Sequence, residues 1–229
     1  MRWIFPWPHA RWFCNSFVKN SYPPVIFLIL VFIVAFLLGS IPNGFLIAKS
    51  KGIDIREHGS KNIGATNVLR VLGKGPGYTV FALDALKGVL AVLLGGWLTG
   101  WRPDHLGQIV AGIGCILGHS FTPWLGFKGG KGVATTAGVL LTLLHPFVLL
   151  SVLTVWLIIF YSTRYVSLAS ILAAVAIPVT IWFLVITKDR QAWPMLIFGV
   201  VVMLLVVLRH QANIQRLCKG TETRFIKKT

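Results

Sequence analysis

VATTAGVLLTLLHPFVLLSVLTVWLIIFY, residues 133–161, is an apolar run without a single charge. A helix needs roughly 20 apolar residues to cross a bilayer, so this run suits either one tilted crossing or two short ones. Whether it crosses once or twice sets the topology. His145-Pro146 stands near its middle, and proline disfavours helix in the residue before it. The remaining candidate spans are about Pro24–Lys49, Gly77–Leu98, His105–Pro123, Val166–Thr187 and Trp193–Leu208. One crossing by 133–161 gives six spans; two give seven. Charge decides between them. With seven spans, 15 of the 22 Lys and Arg residues fall in the loops of one face and 6 on the other, with Lys87 inside a span. With six, the basic carboxyl-terminal segment would face outward, against the positive-inside rule. The expectation is an all-α membrane protein, a polytopic bundle of about seven transmembrane helices, with the amino terminus outside and the carboxyl terminus cytoplasmic.

Composition agrees. Of 229 residues, 55% are hydrophobic and only 12% charged, where a soluble domain carries about 25% charged residues. One membrane domain over 25–209 is expected, with an aromatic and basic extension over 1–24 and a cytoplasmic tail over 210–229. The prolines at 6, 8, 23 and 24 interrupt the extension, so an interfacial segment is expected there rather than a cleaved signal. The net charge is +16 with six acids. Such a surface favours anionic lipid or phosphorylated substrates. Nucleic acid is not expected, because the bases sit in short loops beside spans. Cys14, Cys115 and Cys218 form no CxxC pair or metal spacing, so neither a disulfide framework nor a metal is indicated. No internal repeat is visible, which argues against repeat-built transporters.

Three stretches carry the polar chemistry. The first runs from Ser40-Ile-Pro-Asn-Gly44 through GIDIREHGSKNIGATN (52–67) to Arg70. Its small residues let backbone amides approach a ligand. Ser60, Asn62, Thr66 and Asn67 add polar groups, and Arg56 and Arg70 can fork onto phosphate oxygens. An ordinary polar loop would also use Gly, Ser and Asn. The second is GHSFTPWLGFKGGKGVATT (118–136), where Lys128 and Lys131 bracket Gly129-Gly130. Gly132 and Thr135 follow at the start of an apolar helix, where amides and a positive helix end suit an anion. It is not a Walker motif, and a basic turn anchoring a helix at the headgroups is the plainer alternative. The third is RHQANIQRLCKGTE (209–222). On a continuing helix, His210, Asn213 and Arg216 share one face; a basic tail on anionic lipid is the plainer alternative.

The seven-span topology puts all three stretches on one face, around a shared phosphate site at the membrane edge. Asp84 and Lys87 lie three apart inside the second span. Intramembrane charges are costly and normally paired or functional, and a structural pair is expected here. His119 and His210 are candidate bases by type. His145 reads as a hinge.

The three stretches, in this order, resemble the bacterial acyl-phosphate:glycerol-3-phosphate acyltransferase family over about residues 25–225, and Asp84-Ala-Leu-Lys87-Gly88 is similar to its second-span pattern. Two positions depart from it. Lys61 stands where a glycine is commoner, and Pro123 falls one place late. The resemblance implies transfer of a fatty acyl group from acyl phosphate to the 1-hydroxyl of glycerol 3-phosphate, without cofactor or metal, at the cytoplasmic side of a bacterial plasma membrane. The products would be lysophosphatidate and phosphate. It implies that Ser40, Arg56, His210 and Asn213 position glycerol 3-phosphate. Asn62, Thr66, Asn67 and the Lys128–Gly132 loop would hold the acyl phosphate, with Lys128 or Lys131 offsetting charge on the departing phosphate. The proton goes either to a histidine or to a substrate phosphate, whose second pKa lies near roughly 6. Membrane lipids are the other expected partner, and no protein partner is indicated. A transporter or flippase for a phosphorylated metabolite or anionic lipid is the competing class; it would place polar groups near the midplane.

Overall fold

The computed structural model describes residues 23–102, 104–183 and 193–225. Nearly all of the 1–24 extension lies outside them, as does the end of the expected span Val166–Thr187. Among the described residues the chain is built from helices. In order they are α1 (Val25–Ser40), α2 (Asn43–Lys49), α3 (Ala65–Leu72), α4 (Lys74–Thr99), α5 (Leu106–Ser120), α6 (Val133–Leu143), α7 (Pro146–Thr163), α8 (Val166–Ile181), α9 (Trp193–Arg209) and α10 (Gln211–Cys218). A 3-10 turn covers Pro123–Leu125 between α5 and α6.

The 133–161 run breaks where proline dictates. Helix α6 stops at Leu143, and Leu144 and His145 are extended, with ψ of 154° and 141°. Pro146 opens α7 at a position that needs no N–H. His145 caps the helix, its Nδ1 accepting from the Phe147 amide at 3.3 Å.

The first expected span is long and apolar enough to cross over Val25–Lys49, but it carries a break between α1 and α2. Pro42 lacks an N–H and drives Ile41 out of the helical region, to ψ 114°, so α1 ends at Ser40. The third stretch does not continue α9 as one helix. The chain bends by 60° between α9 and α10, with His210 at the corner (φ −101°, ψ 8°). Helix α3, inside what reads as a loop, is an addition; Gly73, at φ 89°, turns it into α4.

By length and composition, Val25–Lys49, Lys74–Thr99 and Pro146–Thr163 can cross a membrane, and the bent pair α9–α10 makes a fourth candidate. Helices α6 and α8 are shorter apolar segments.

Small residues bring the helices together. A Cβ on Gly39 would strike the Cys115 carbonyl, and one on Gly118 the Phe36 carbonyl, so α1 and α5 touch backbone to backbone. Gly88 meets the Thr135 carbonyl and Gly138 the Ala85 carbonyl between α4 and α6. Where lipid surrounds a bundle, such close approach supplies the dispersion contacts that hydrophobic exclusion cannot. A second core joins Val92, Ile116, Val139, Ile177 and Phe198 across α4, α5, α6, α8 and α9. Outward-facing side chains remain apolar, among them Phe27, Leu30, Phe81, Leu153 and Ile197, as a lipid-facing surface requires. These contacts fix the ends of α1, α5, α6 and α9, from which the polar loops leave.

Candidate active site

The first stretch builds its own frame. Asn67, 2% exposed, donates its amide to the carbonyls of Ile55, His58 and Asn62 at 3.3, 3.0 and 2.8 Å. Its Oδ1 accepts from the Ser60 amide at 2.8 Å. Every polar atom of that side chain is therefore engaged with the 55–62 loop. Asn62 Oδ1 accepts from the Gly64 amide at 2.9 Å, and Thr66 lies on the first turn of α3. Lys61 takes the left-handed conformation, φ 59°, which suits glycine. The lysine departure thus preserves the backbone path and leaves its side chain exposed. Arg56 forks onto Asp54 at 2.6 and 2.9 Å and stacks over Phe45 at 4.8 Å. The guanidinium holds the partly buried Asp54 carboxyl down at about 2. Ser40 is fully buried at the end of α1. Its hydroxyl donates to the Leu37 carbonyl at 2.7 Å and accepts from Trp124 Nε1 at 2.8 Å. Its carbonyl accepts from the Thr122 hydroxyl at 2.6 Å. Ser40 is thereby tied to the second stretch.

The Lys128–Gly132 loop folds back on the end of α5. Gly129 and Gly130 donate their amides to the carbonyls of Ser120 and His119 at 3.2 and 3.0 Å. Their own carbonyls accept from Arg209 Nη2 and Nε at 3.0 and 3.2 Å, and the Arg209 guanidinium lies 5.0 Å over the Phe121 ring. The expectation that these two glycine amides face a phosphate is therefore corrected: they hold the loop. The donors left for an anion come next, at Gly132 (φ 78°) and the opening turn of α6, whose first amides have no partner within the helix. The hydroxyls of Ser120, Thr135 and Thr136 are buried here with no hydrogen-bond partner among the described residues. A Cβ on Gly132 would lie 3.3 Å from Ser120 Oγ and 4.0 Å from Thr136 Oγ1, so both hydroxyls face the helix start. Lys128 is exposed.

Lys131 is where the stretches meet. Desolvation lowers its amine to about 8, with Glu222 opposing and Arg216, Arg70 and Arg209 adding to the shift. These side chains come from α3, the end of α9, α10 and the following segment. His210, 2% exposed, donates Nδ1–H to the Val206 carbonyl at 2.7 Å; Nε2 is left as a bare acceptor. Burial, and then the Lys131 charge, push this imidazole down to about 4. Glu222 accepts from Ser167 and Asn213 at 2.7 Å on one oxygen and from Arg216 at 2.7 Å on the other. These bonds hold its carboxyl below the usual range despite burial. Because the Asn213 amide donates to Glu222, its Oδ1 points away, buried and without a partner among the described residues.

The whole arrangement has close counterparts. A family model described as glycerol-3-phosphate acyltransferase matches residues 29–220. The chain belongs to the glycerol-3-phosphate acyltransferase family. A glycerol-3-phosphate acyltransferase of Thermosynechococcus vestitus is 46% identical over 208 residues, covering 87% of this chain and 96% of that one. One from Desulforamulus reducens is 49% identical over 195 residues, covering 85% and 93%. The solved structure of PlsY (YgiH), an integral membrane glycerol 3-phosphate acyltransferase, superposes in its glycerol 3-phosphate form with a TM-score of 0.78 at 42% identity, covering 87% of this chain and 96% of that one. Its lysophosphatidic acid form gives 0.76, also at 42% identity, covering 87% and 95%.

In this acyltransferase the charges of Arg70, Arg209, Arg216 and Glu222 act on Lys131, and the Lys131 charge acts on His210. Asn213 is bonded to Glu222. Gly132 lies beside Ser120 and Thr136, with Thr135 buried in the same opening turn of α6. Ser40 lies buried under the Trp124 indole. Arg56, Ser60 and Lys128 are exposed. Sequence reasoning missed Arg209, Ser120, Thr136 and Glu222. Arg209 had a signal, since a cation ending an apolar helix can cap backbone carbonyls, but its target was a distant loop. His119 lies 5% exposed beside Asp84 and Lys87, with Nδ1 2.9 Å from Lys87 Nζ. Asp84 and Lys87 form a buried ion pair at 2.9 Å.

Proposed function

We propose that this chain transfers a fatty acyl group from acyl phosphate to the 1-hydroxyl of glycerol 3-phosphate. The observation that carries the reading is that charged groups of the first and third stretches, Arg70, Arg209, Arg216 and Glu222, all act on Lys131 of the second. Lys131, Arg70 and Arg209 supply positive charge for phosphate oxygens. His210 Nε2 and Asn213 Oδ1 are acceptors, which suit the hydroxyl donors of a glycerol unit. The opening turn of α6, with the Ser120, Thr135 and Thr136 hydroxyls, offers donors for the acyl phosphate.

The hydroxyl oxygen bonds to the acyl carbonyl carbon, the bond from that carbon to the phosphate oxygen breaks, and inorganic phosphate leaves. Lys131 offsets the charge that collects on the leaving group. The hydroxyl proton passes to a phosphate oxygen. His210 is held at about 4, a weak base at neutrality. His119 Nδ1 faces the Lys87 ammonium at 2.9 Å, so it already accepts a proton donor. A direct transfer of this kind draws most of its rate from positioning.

The topology we favour has seven crossings, the breaks at His145-Pro146 and His210 marking opposite faces, with the amino terminus outside. The site then opens at the cytoplasmic surface of the plasma membrane, where acyl chains stay in lipid and polar ends meet. Charge placement supports this side.

Purified protein in detergent, given acyl phosphate and glycerol 3-phosphate, should form lysophosphatidate and phosphate in equal amounts. Acyl thioesters in place of acyl phosphate should give none. Product from a thioester alone would sink the donor assignment.

A further inference from the structure

Lys87 does more than neutralise Asp84. An ammonium has three N–H groups, and here each has a target. They are Asp84 Oδ1 at 2.9 Å, the Ile41 carbonyl at 3.1 Å and His119 Nδ1 at 2.9 Å. A charge pair alone accounts for the first. The second ties α4 to the break that Pro42 makes after Ser40, and Asn43 reinforces it, its amide donating to the same Asp84 oxygen at 3.0 Å. The third fixes the ring of His119: with Nδ1 accepting, the proton of the neutral imidazole sits on Nε2. That ring edge abuts Gly130, where a Cβ would collide with Nε2. The backbone of the same residue accepts the Gly130 amide at 3.0 Å. Lys87, 4% exposed, therefore holds the Ile41 carbonyl, next after Ser40, in one direction and, through His119, the Lys128–Gly132 loop in the other.

We propose that Lys87 is a positioning residue for acyl transfer, its ammonium setting the Ser40–Pro42 break and, through the His119 ring, the glycine loop in one register. It touches neither substrate. The inference rests on the acyl-transfer reading above.

Replacement of a buried ion pair by apolar residues is often neutral or stabilising, whereas removal of one partner strands a charge. This separates a bundle-holding role from a positioning role. In detergent, Lys87→Met should lower the melting temperature, and the double variant Asp84→Leu/Lys87→Leu should recover it. The recovered double variant should still turn over at least about tenfold slower, because misplacement of reacting groups by about 1 Å costs that much or more. Its KM for glycerol 3-phosphate should change less than its kcat. Native-like melting with kcat within twofold of native would overturn the inference. Should the double variant fail to fold, Lys87→Gln crossed with Gly130→Ala decides. Their kcat losses should overlap, the pair being little worse than the poorer single variant; losses that multiply would overturn it. Absence of turnover by the native protein with acyl phosphate would instead refute the donor assignment and this inference with it.

Discussion

Arg209→Lys should slow the enzyme at least about tenfold while sparing its fold. The side chain leaves the end of α9 and donates to two adjacent carbonyls, of Gly129 at 3.0 Å and of Gly130 at 3.2 Å. Hydrogen bonds to a charged donor are worth about 1.5–3 kcal/mol each. Arg209 is half-buried, so solvent screening selects the lower end of that range. Two bonds and the stack on Phe121 then hold the loop by roughly 3 kcal/mol. A lysine keeps the charge, but as a point donor it cannot fork across two carbonyls or stack flat. About 1.5–2 kcal/mol of that restraint is lost, and since 1.4 kcal/mol is about tenfold, kcat/KM should fall roughly 10- to 30-fold. Arg209→Ala loses all of it and should fall about 100-fold or more. The assay is phosphate release from acyl phosphate in detergent at saturating and limiting glycerol 3-phosphate, with melting temperature measured in parallel. If Arg209→Lys retains half of native kcat/KM, the clamp does not set the loop.

Three further outcomes follow from the site. Lys131 is lowered to about 8 and acts as a cation, so kcat/KM should fall as pH rises through about 8. Lys131→Arg should remove that falling limb, since a guanidinium stays charged; a native profile flat to about pH 9.5 would remove Lys131 from the phosphate site. Thr136→Val deletes a buried hydroxyl that has no partner among the described residues. It should leave the melting temperature unchanged or higher while raising KM for acyl phosphate, and an unchanged KM would exclude Thr136 from ligand contact. Glu222 has a depressed carboxyl pKa in the fold, so the stability it contributes is present above the ordinary glutamate range and is lost as pH falls through its folded value. The melting temperature should drop on acidification less steeply in Glu222→Gln than in the native protein; parallel curves would assign the acid sensitivity elsewhere.

Much of this architecture was legible because lipid imposes simple rules. Apolar length located α4, α5, α8 and α9, and His145-Pro146 located the break between α6 and α7. Pro42 carried the same signal as Pro146, yet hydrophobicity across 25–49 outweighed it. The corner at His210 had no such marker, since Arg209-His210-Gln211 reads as ordinary helix. Its cause is tertiary: Arg209 is drawn to the glycine loop, while Asn213 and Arg216 are drawn to Glu222. The three stretches were visible as chemistry, but which atoms face a ligand was not. Asn67 reads as a phosphate donor until its amide is seen to fill the 55–62 loop. Gly129 and Gly130 read as an anion nest until their amides are found on the Ser120 and His119 carbonyls. Backbone partners of this kind lie across sequence gaps that no periodicity encodes. The same limit hid Lys87. Spacing of i and i+3 explains Asp84, and an explained pair invites no further question. Only the Ile41 carbonyl, at a break 46 residues earlier in the chain, and the His119 ring give the other two N–H groups a purpose. A buried lysine with three satisfied donors is a joint between elements, and its loss should be felt at the loop before it is felt in the fold.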